Sequence, residues 1–431
     1  MDTGNTKTII LPYGKTKLLV NIPNRWLGQV LIPEPVQPSP DIQALVINAL
    51  EKPVSSPPLS QVARPGQKVA IIVDDYTRKT PIFLFLPLVL EHLTSAGFQK
   101  NDIRIVVALG THRPMTELEI KNKVGEKIME EYEIVNLPCE VQSEMIFMGT
   151  SSNGIPAWVN RAVAEADVRI GLGMITPHSD AGFSGGAKII LPGVCSSATV
   201  NAFHAVGAFI NENPLGNVET PIRKNLECFV AERVPLNFIV NVIVTLNGEI
   251  YQCVAGDPVE AHRRGVDYSK RVFGVSFPHR YQVVVANCYP YDVDLWQSTK
   301  GAFCGDLVVA DGGTLILVTA ATEGNSNYPE FPSYIGRDRK ELKQKIEMNK
   351  IEFPLLAAES VKLGALKERV NLLLVSGGLT EQDADQMEIP YYSTIEQAVI
   401  DAVDQLPASR RERAVCVIPR AGLTLPMEST V

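Results

Sequence analysis

Several signals are missing from this 431-residue sequence. No apolar run reaches the ~20 residues that a membrane-spanning helix requires; the longest, Pro81 to Leu90, falls well short. The opening Met1-Asp2-Thr3-Gly4 has neither the basic nor the apolar region of a secretory leader, so a cytoplasmic protein is expected. Basic charge is also in deficit: 40 Lys and Arg stand against 48 Asp and Glu, for a net charge of −8. Without a long Lys/Arg run, sequence-independent nucleic-acid binding is excluded, because that requires a basic surface. The seven cysteines (139, 195, 228, 253, 288, 304 and 416) are scattered, odd in number and never spaced C-x-x-C. They form neither a disulfide framework nor a zinc ribbon and are expected as free, mostly buried thiols. Histidine is scarce as well, at six residues, which makes the position of each informative.

What is present is the composition of a globular protein, 45% hydrophobic and 20% charged. The length exceeds what one core usually supports, so two domains are expected. From residue 67, unbroken apolar runs at Val69–Asp75, Ile103–Gly110 and Val168–Met174 alternate with amphipathic segments such as Ile82–Ala96 and Glu117–Glu131. Buried parallel strands read this way, and the intervening helices imply a doubly wound α/β sheet. The pattern restarts after Pro278, with runs at Tyr281–Ala286, Thr314–Thr319, Val370–Ser376 and Ala414–Ile418 and a helix at Thr394–Gln405. The expected architecture is two Rossmann-like α/β domains with mostly parallel sheets and an active-site cleft between them. Their expected limits are 1–275 for the N-terminal cofactor-binding and catalytic domain and 278–410 for the C-terminal domain, with 411–431 a tail returning to the first. A hairpin over Thr8–Leu11 and Lys17–Ile22 and a proline-rich, surface-wrapping arm over 31–66, with a helix at Asp41–Glu51, precede the first run. Asn325–Ile335, with three aromatics, is expected as a lid or interface loop.

In such sheets ligands lie beyond the carboxyl ends of the strands. After the first run comes Asp75-Tyr76-Thr77-Arg78; after the second, Gly110-Thr111-His112-Arg113; after the third, a block from Thr176 to Lys188 that contains His178. His112 and His178 thus fall at equivalent strand ends, each within two residues of a threonine. Imidazoles titrate near neutrality and suit paired acid and base work. His92, His262 and His279 are expected to be surface or satisfied residues.

Gly182-Phe183-Ser184-Gly185-Gly186-Ala187-Lys188 invites a phosphate-loop reading but fails it: Ala187 replaces the glycine before the lysine, and Ile189 the hydroxyl residue after it. The glycines still permit close backbone approach to a ligand, with Lys188 as phosphate counter-ion or nucleophilic amine. His204 suits a metal by type, yet no second ligand stands at i±4. A zinc hydrolase using His112, His178 and His204 is therefore one alternative, and a binding or sensor protein without turnover another. In the second domain Gln297 and Lys300 share one helical face after the run that ends near Asn287, and Lys300 suits a carboxylate or phosphate anchor.

These segments, in order along nearly the whole chain, resemble the nickel-pincer-nucleotide-dependent lactate racemase family. The resemblance rests on Asp75-Tyr76-Thr77-Arg78, Gly110-Thr111-His112-Arg113, the block Pro177-His178-x-x-Ala181-Gly182-Phe183-Ser184-Gly185-Gly186-Ala187-Lys188-x-Ile190-Leu191-Pro192-Gly193, His204, and Gln297 with Lys300. It implies a nickel-pincer nucleotide, Ni(II)-pyridinium-3,5-bisthiocarboxylic acid mononucleotide, covalently linked to Lys188. It implies His204 as the protein's nickel ligand, and Asp75, Tyr76, Thr77, Arg78 and Pro192 as cofactor neighbours. His112 and His178 would be the acid/base pair, and Arg78, Gln297 and Lys300 would bind substrate. The implied reaction is racemisation of a lactate-type 2-hydroxy acid by proton-coupled hydride transfer through a 2-keto acid. A 2-epimerase of a sugar acid or a racemase of a larger 2-hydroxy acid is the alternative, because Trp296 precedes Gln297. The implied partners are the small 2-hydroxy acid and the enzymes that make the cofactor.

Overall fold

The computed structural model describes residues 5–210, 212–325 and 328–429. Residues 326 and 327 of the expected lid segment, and Met1 to Gly4, lie outside them. The fold is mixed α/β, organised on two six-stranded, mostly parallel sheets.

The first sheet runs, in spatial order, Ile250–Gly256, Phe238–Val244, Val168–Met174, Val69–Asp74, Ile103–Ala108 and Glu133–Val135. Only Ile250–Gly256 is antiparallel to its neighbour. Chain order reverses between Val69–Asp74 and Val168–Met174, so a crevice opens past the carboxyl ends of those two strands. Central strands buried on both faces account for the continuous apolar runs; all seven residues of Val168–Met174 are buried. The expected helix over Glu117–Glu131 is two helices, Glu117–Val124 and Glu126–Glu131, because Gly125 lies between them at φ +93°.

The second sheet is parallel throughout, in the order Tyr391–Tyr392, Asn371–Ser376, Val309–Thr319, Tyr281–Asn287, Val415–Ile418 and Leu27–Val30. Its last member corrects the reading that placed residues 1–30 with the first domain. Leu27–Val30 forms the edge strand beside Val415–Ile418, and the hairpin Thr6–Tyr13/Thr16–Pro23 packs on the same sheet. Leu11, Val20 and Ile22 are buried among Val283, Ile316 and Val417, because alternate residues of the hairpin strands face inward, while Ile10 and Leu19 between them face solvent.

Of residues 411–431, Val415–Ile418 belongs to the second sheet, and the chain then runs on to the edge of the first half. Leu425–Glu428 pairs with Gly274–Phe277, and Leu425 packs with Ile175, Phe183 and Ile243. In the proline-rich arm, Asp41 caps the helix Ile42–Glu51 by accepting from Ala44 N–H at 2.9 Å, and Val46 and Leu50 enter the core. Of the lid segment, Phe331 and Tyr334 are buried core residues, and the Tyr328 hydroxyl meets Thr111 Oγ1 at 3.3 Å, an interface contact between the two halves. No described helix is long and apolar enough to cross a membrane.

Candidate active site

The crevice at the strand-order reversal is one cavity. Its walls carry Asp75, Thr77, Arg78, His112, His178, Lys188, Pro192 and His204 from the first sheet's side and Trp296, Gln297, Lys300 and Leu355 from the second's. Of the residues singled out from the sequence, Tyr76 alone is not in the wall. Its ring lies under the Arg113 guanidinium at 4.1 Å, with its centre 6.2 Å from that of the His112 ring.

The turn after Val69–Asp74 is built on two adjacent carboxylates with different tasks. Asp74 pairs with buried Lys123 at 2.7 Å, and Lys123 also donates to the Arg78 carbonyl at 2.7 Å, which fixes the loop that bears Arg78. Burial raises the pKa of Asp74 even against the neighbouring ammonium. Asp75, 3% exposed, accepts from the Thr77 hydroxyl at 2.6 Å and meets His112 Nδ1 at 2.6 Å. Burial would raise its pKa too, but the hydrogen bond and charge of His112, with Arg78, win and hold it low. An ionised carboxylate only accepts, so His112 Nδ1 carries a proton, and in the neutral ring Nε2 is the nitrogen with the lone pair.

His178 is held the opposite way. It sits in the short hairpin Pro177–His178/Gly182–Phe183, and the Asp180 backbone N–H approaches its Nδ1 at 3.1 Å. An amide N–H only donates, so Nδ1 accepts and the neutral ring carries its proton on Nε2. Burial, and then the positive field of Lys188, push its pKa well down.

The glycines of the following turn do something other than expected. A side chain at Gly182 would strike the Asn217 carbonyl, one at Gly185 would strike Asn241, and one at Gly186 would strike Arg223; all three have positive φ. Their missing side chains let the loop lie against protein, while Gly185 also lines the cavity. Its amides are engaged too: Gly186 N–H donates to Asn241 Oδ1 at 2.8 Å, and Lys188 N–H to the Gly185 carbonyl. Fully buried Arg223 donates to the Phe183 carbonyl at 3.2 Å, and fully buried His262 meets the Ser184 carbonyl with Nε2 at 2.9 Å. Both support the loop. His262 was legible in the spacing: with Ala261, Gly265, Val266, Ser269 and Val272 it completes the buried face of the helix Glu260–Phe273.

Lys188 ends up in the wall with its pKa pushed down to about 7, first by burial and then by Arg78. An amine neutral near pH 7 can act as a nucleophile. His204 stands on the helix Ser197–Gly207, which Ser196 caps, with its pKa pushed down to about 4 by burial. A neutral imidazole is the form that binds a metal. Among the described residues, no three His, Cys, Asp or Glu side chains are grouped to hold a metal ion. The three-histidine zinc site therefore does not form, and any metal at His204 needs donors from elsewhere.

Across the crevice, Asp294 caps the helix Leu295–Asp306 by accepting from Gln297 N–H at 2.6 Å. Gln297 and Lys300 share one face, with Lys300 Nζ bonded to Gln297 Oε1 and 3.9 Å from the centre of the Tyr291 ring. Burial, then Arg78 and Lys188, lower the pKa of Lys300 well below the ordinary lysine range. Trp296 packs against Tyr328 and Phe331, with ring centres 4.9 and 5.1 Å away. Sequence reasoning missed the helix Pro354–Arg369, whose Leu355 and Glu359 line the cavity and whose Lys362 pairs with Asp180.

Residues 13–215 match a family described as the lactate racemase N-terminal domain. A lactate racemase of Lactiplantibacillus plantarum is 33% identical over 323 residues, 74% of this chain and 76% of its own. A lactate racemase of Thermoanaerobacterium thermosaccharolyticum is 31% identical over 324 residues, 74% of this chain and 75% of its own. The solved lactate racemase apoprotein of that organism superposes with a TM-score of 0.85 at 25% identity, over 98% of this chain and 100% of that one. A Thermotoga maritima protein shares the fold, with a TM-score of 0.68 at 20% identity, over 91% of this chain and 100% of that one.

Proposed function

Because this chain belongs to the lactate racemase family, we propose that it interconverts the enantiomers of a lactate-type 2-hydroxy acid by proton-coupled hydride transfer through a 2-keto acid. It is an isomerase of the racemase kind. The observation that carries the reading is the meeting, in one cavity, of two oppositely held histidines, a lysine with its pKa lowered to about 7, the Arg78 guanidinium and the Lys300 amine.

A nickel-pincer nucleotide fits the residues present. Lys188 is a nucleophilic amine near pH 7, and His204 is a neutral imidazole in no group of three possible protein ligands among the described residues, and so suits a ligand that brings its own donors. Lys188 would tether the group and His204 would ligate its nickel, with Asp75, Thr77, Arg78 and Pro192 lining its place. When bound, the group supplies a hydride acceptor that no amino-acid side chain offers.

The chain's own residues do the rest. Arg78 and Lys300 hold the substrate carboxylate and, with Gln297, keep the planar keto acid from leaving. His112 Nε2 takes the hydroxyl proton from one enantiomer, and the imidazolium formed is stabilised by Asp75. His178 is the base for the other enantiomer, a step that requires the tautomer in which its Nε2 is free of the proton it carries at rest. The two faces are what make the outcome racemisation rather than one-way oxidation.

Trp296 favours a second reading of the substrate alone, a larger 2-hydroxy acid or a sugar acid on the same machinery. The test is production alongside the cofactor-making enzymes, followed by nickel analysis, intact mass and a panel of chiral 2-hydroxy acids. We expect nickel in equal proportion to chain, added mass on Lys188, and interconversion of at least the lactate pair. Lys188→Ala and His204→Ala should lose cofactor and keep the fold. Full nickel and activity in His204→Ala would overturn that ligand, and zinc without organic mass on Lys188 would overturn the proposal. Turnover confined to bulkier acids would move the substrate to the second reading.

A further inference from the structure

Helix Pro354–Arg369 brings Glu359 into the crevice wall and Lys362 behind it, against Asp180, and the reaction as proposed uses neither. Leu355, Glu359 and Lys362 stand at i, i+4 and i+7 and so share one face. Glu359 and Lys362 are 6% and 10% exposed, and the helix packs against Ser197–Gly207, which bears His204. Lys362 Nζ grips the Asp180 carboxylate and, at 2.9 Å, Glu359 Oε2; Glu359 Oε1 meets the Thr299 hydroxyl at 3.0 Å.

Each end of this chain of contacts leads to a group of the proposed site. Asp180 is the residue whose backbone N–H holds His178 Nδ1. Thr299 lies between Gln297 and Lys300 on the helix Leu295–Asp306. An ammonium shared by two buried carboxylates is a geometrically demanding arrangement. Replacing such a group with apolar residues often leaves stability unchanged or improves it. Stability alone therefore does not explain its presence here.

We propose that Lys362 is a positioning residue: by bridging Asp180 and Glu359 it sets the hairpin that presents His178 against the helix that presents Gln297 and Lys300. The inference rests on the racemase reading for its kinetic arm only. Removing the bridge frees the Asp180 carboxylate, lets its amide drift, and releases His178 Nδ1 from its single hydrogen-bond donor.

The experiment compares Lys362→Met, Lys362→Arg and the neutral triple variant Asp180→Asn/Glu359→Gln/Lys362→Met, which leaves no charge buried alone. In protein labelled with ¹⁵N-histidine, the His178 signals should lose the pattern of a ring protonated on Nε2 in Lys362→Met and in the triple variant. Those of His112 and His262 should stay unchanged. In loaded enzyme, kcat should fall roughly 10- to 100-fold with KM within about threefold, the scale of a small misplacement of a catalytic group. Lys362→Arg, still able to bridge two carboxylates, should recover most of the loss. A folded triple variant with wild-type kcat and wild-type His178 signals would overturn the proposal, as would a loss of kcat matched by lost folded protein. Were the wild-type enzyme to turn over no 2-hydroxy acid, the racemase reading would fall, and the histidine signals would still decide the role of Lys362.

Discussion

His112 and His178 follow the two strands that flank Val69–Asp74 in one sheet and face one cavity, yet their supports are opposites. His112 is partly exposed and rests on a carboxylate; His178 is buried and rests on a backbone amide. A carboxylate stabilises the imidazolium that forms when a base takes a proton, whereas an amide N–H at Nδ1 opposes it. At rest His112 therefore carries a proton on Nδ1, toward Asp75, and neutral His178 carries its proton on Nε2. Two residues of one type, at equivalent places, are differentiated by what stands behind them.

The sharpest way to break this comparison is to remove each ring in turn. His112→Ala and His178→Ala should each lower racemisation by roughly 10²- to 10⁴-fold, the usual worth of a positioned acid or base, as read by chiral chromatography from both enantiomers. A variant that kept its rate would show that the two faces are not both served. Next comes the carboxylate: Asp75→Asn keeps the shape but no longer fixes the Nδ1 proton, and should cost kcat about 10²-fold or more with little change in KM, following the tautomer logic of catalytic triads. The ¹⁵N pattern of His178 should not respond to it.

A gentler comparison uses acid. Burial and Lys188 lower the His178 pKa well below 6.5, so its ring should remain neutral by NMR as pH falls from 7 to 5. The smallest effect is on stability. The pKa of Lys188 is about 7 in the folded chain against 10.5 for the free side chain, so between those values the unfolded chain binds more protons. Stability should rise with pH across that window and be lost as pH falls towards 7. Lys188→Met should flatten this slope in denaturation measured at several pH values.

Much of this site was legible in the sequence, because apolar runs ending in polar residues mark strand ends, and strand ends converge. His112, His178, Lys188, His204, Gln297 and Lys300 all fell where such ends or the next helix led. Glu359 and Lys362 were not legible: an acid and a base at i, i+3 read as a solvated surface pair until a second body covers them. The glycines of 182–186 were legible as a special turn but not in direction, since only the surrounding packing shows which side of the backbone is crowded. Tyr76 was placed by its neighbours in sequence, which do not tell that its ring stacks on Arg113. For residues 1–30 the pairing partner lies almost the whole chain away, and no local pattern announces it.

That last feature has a kinetic meaning. Leu27–Val30 completes its ladder only when Val415–Ile418 is present, and the hairpin ahead of it buries Leu11, Val20 and Ile22 on the same late sheet. During synthesis the first apolar strands to emerge are thus among the last to be covered, a non-local pairing of the kind that folds slowly and leaves edges exposed. The first sheet can form from residues 69–256 alone, without waiting for the C-terminal strands. The chain is made from its beginning, but its structure is expected to start from the middle.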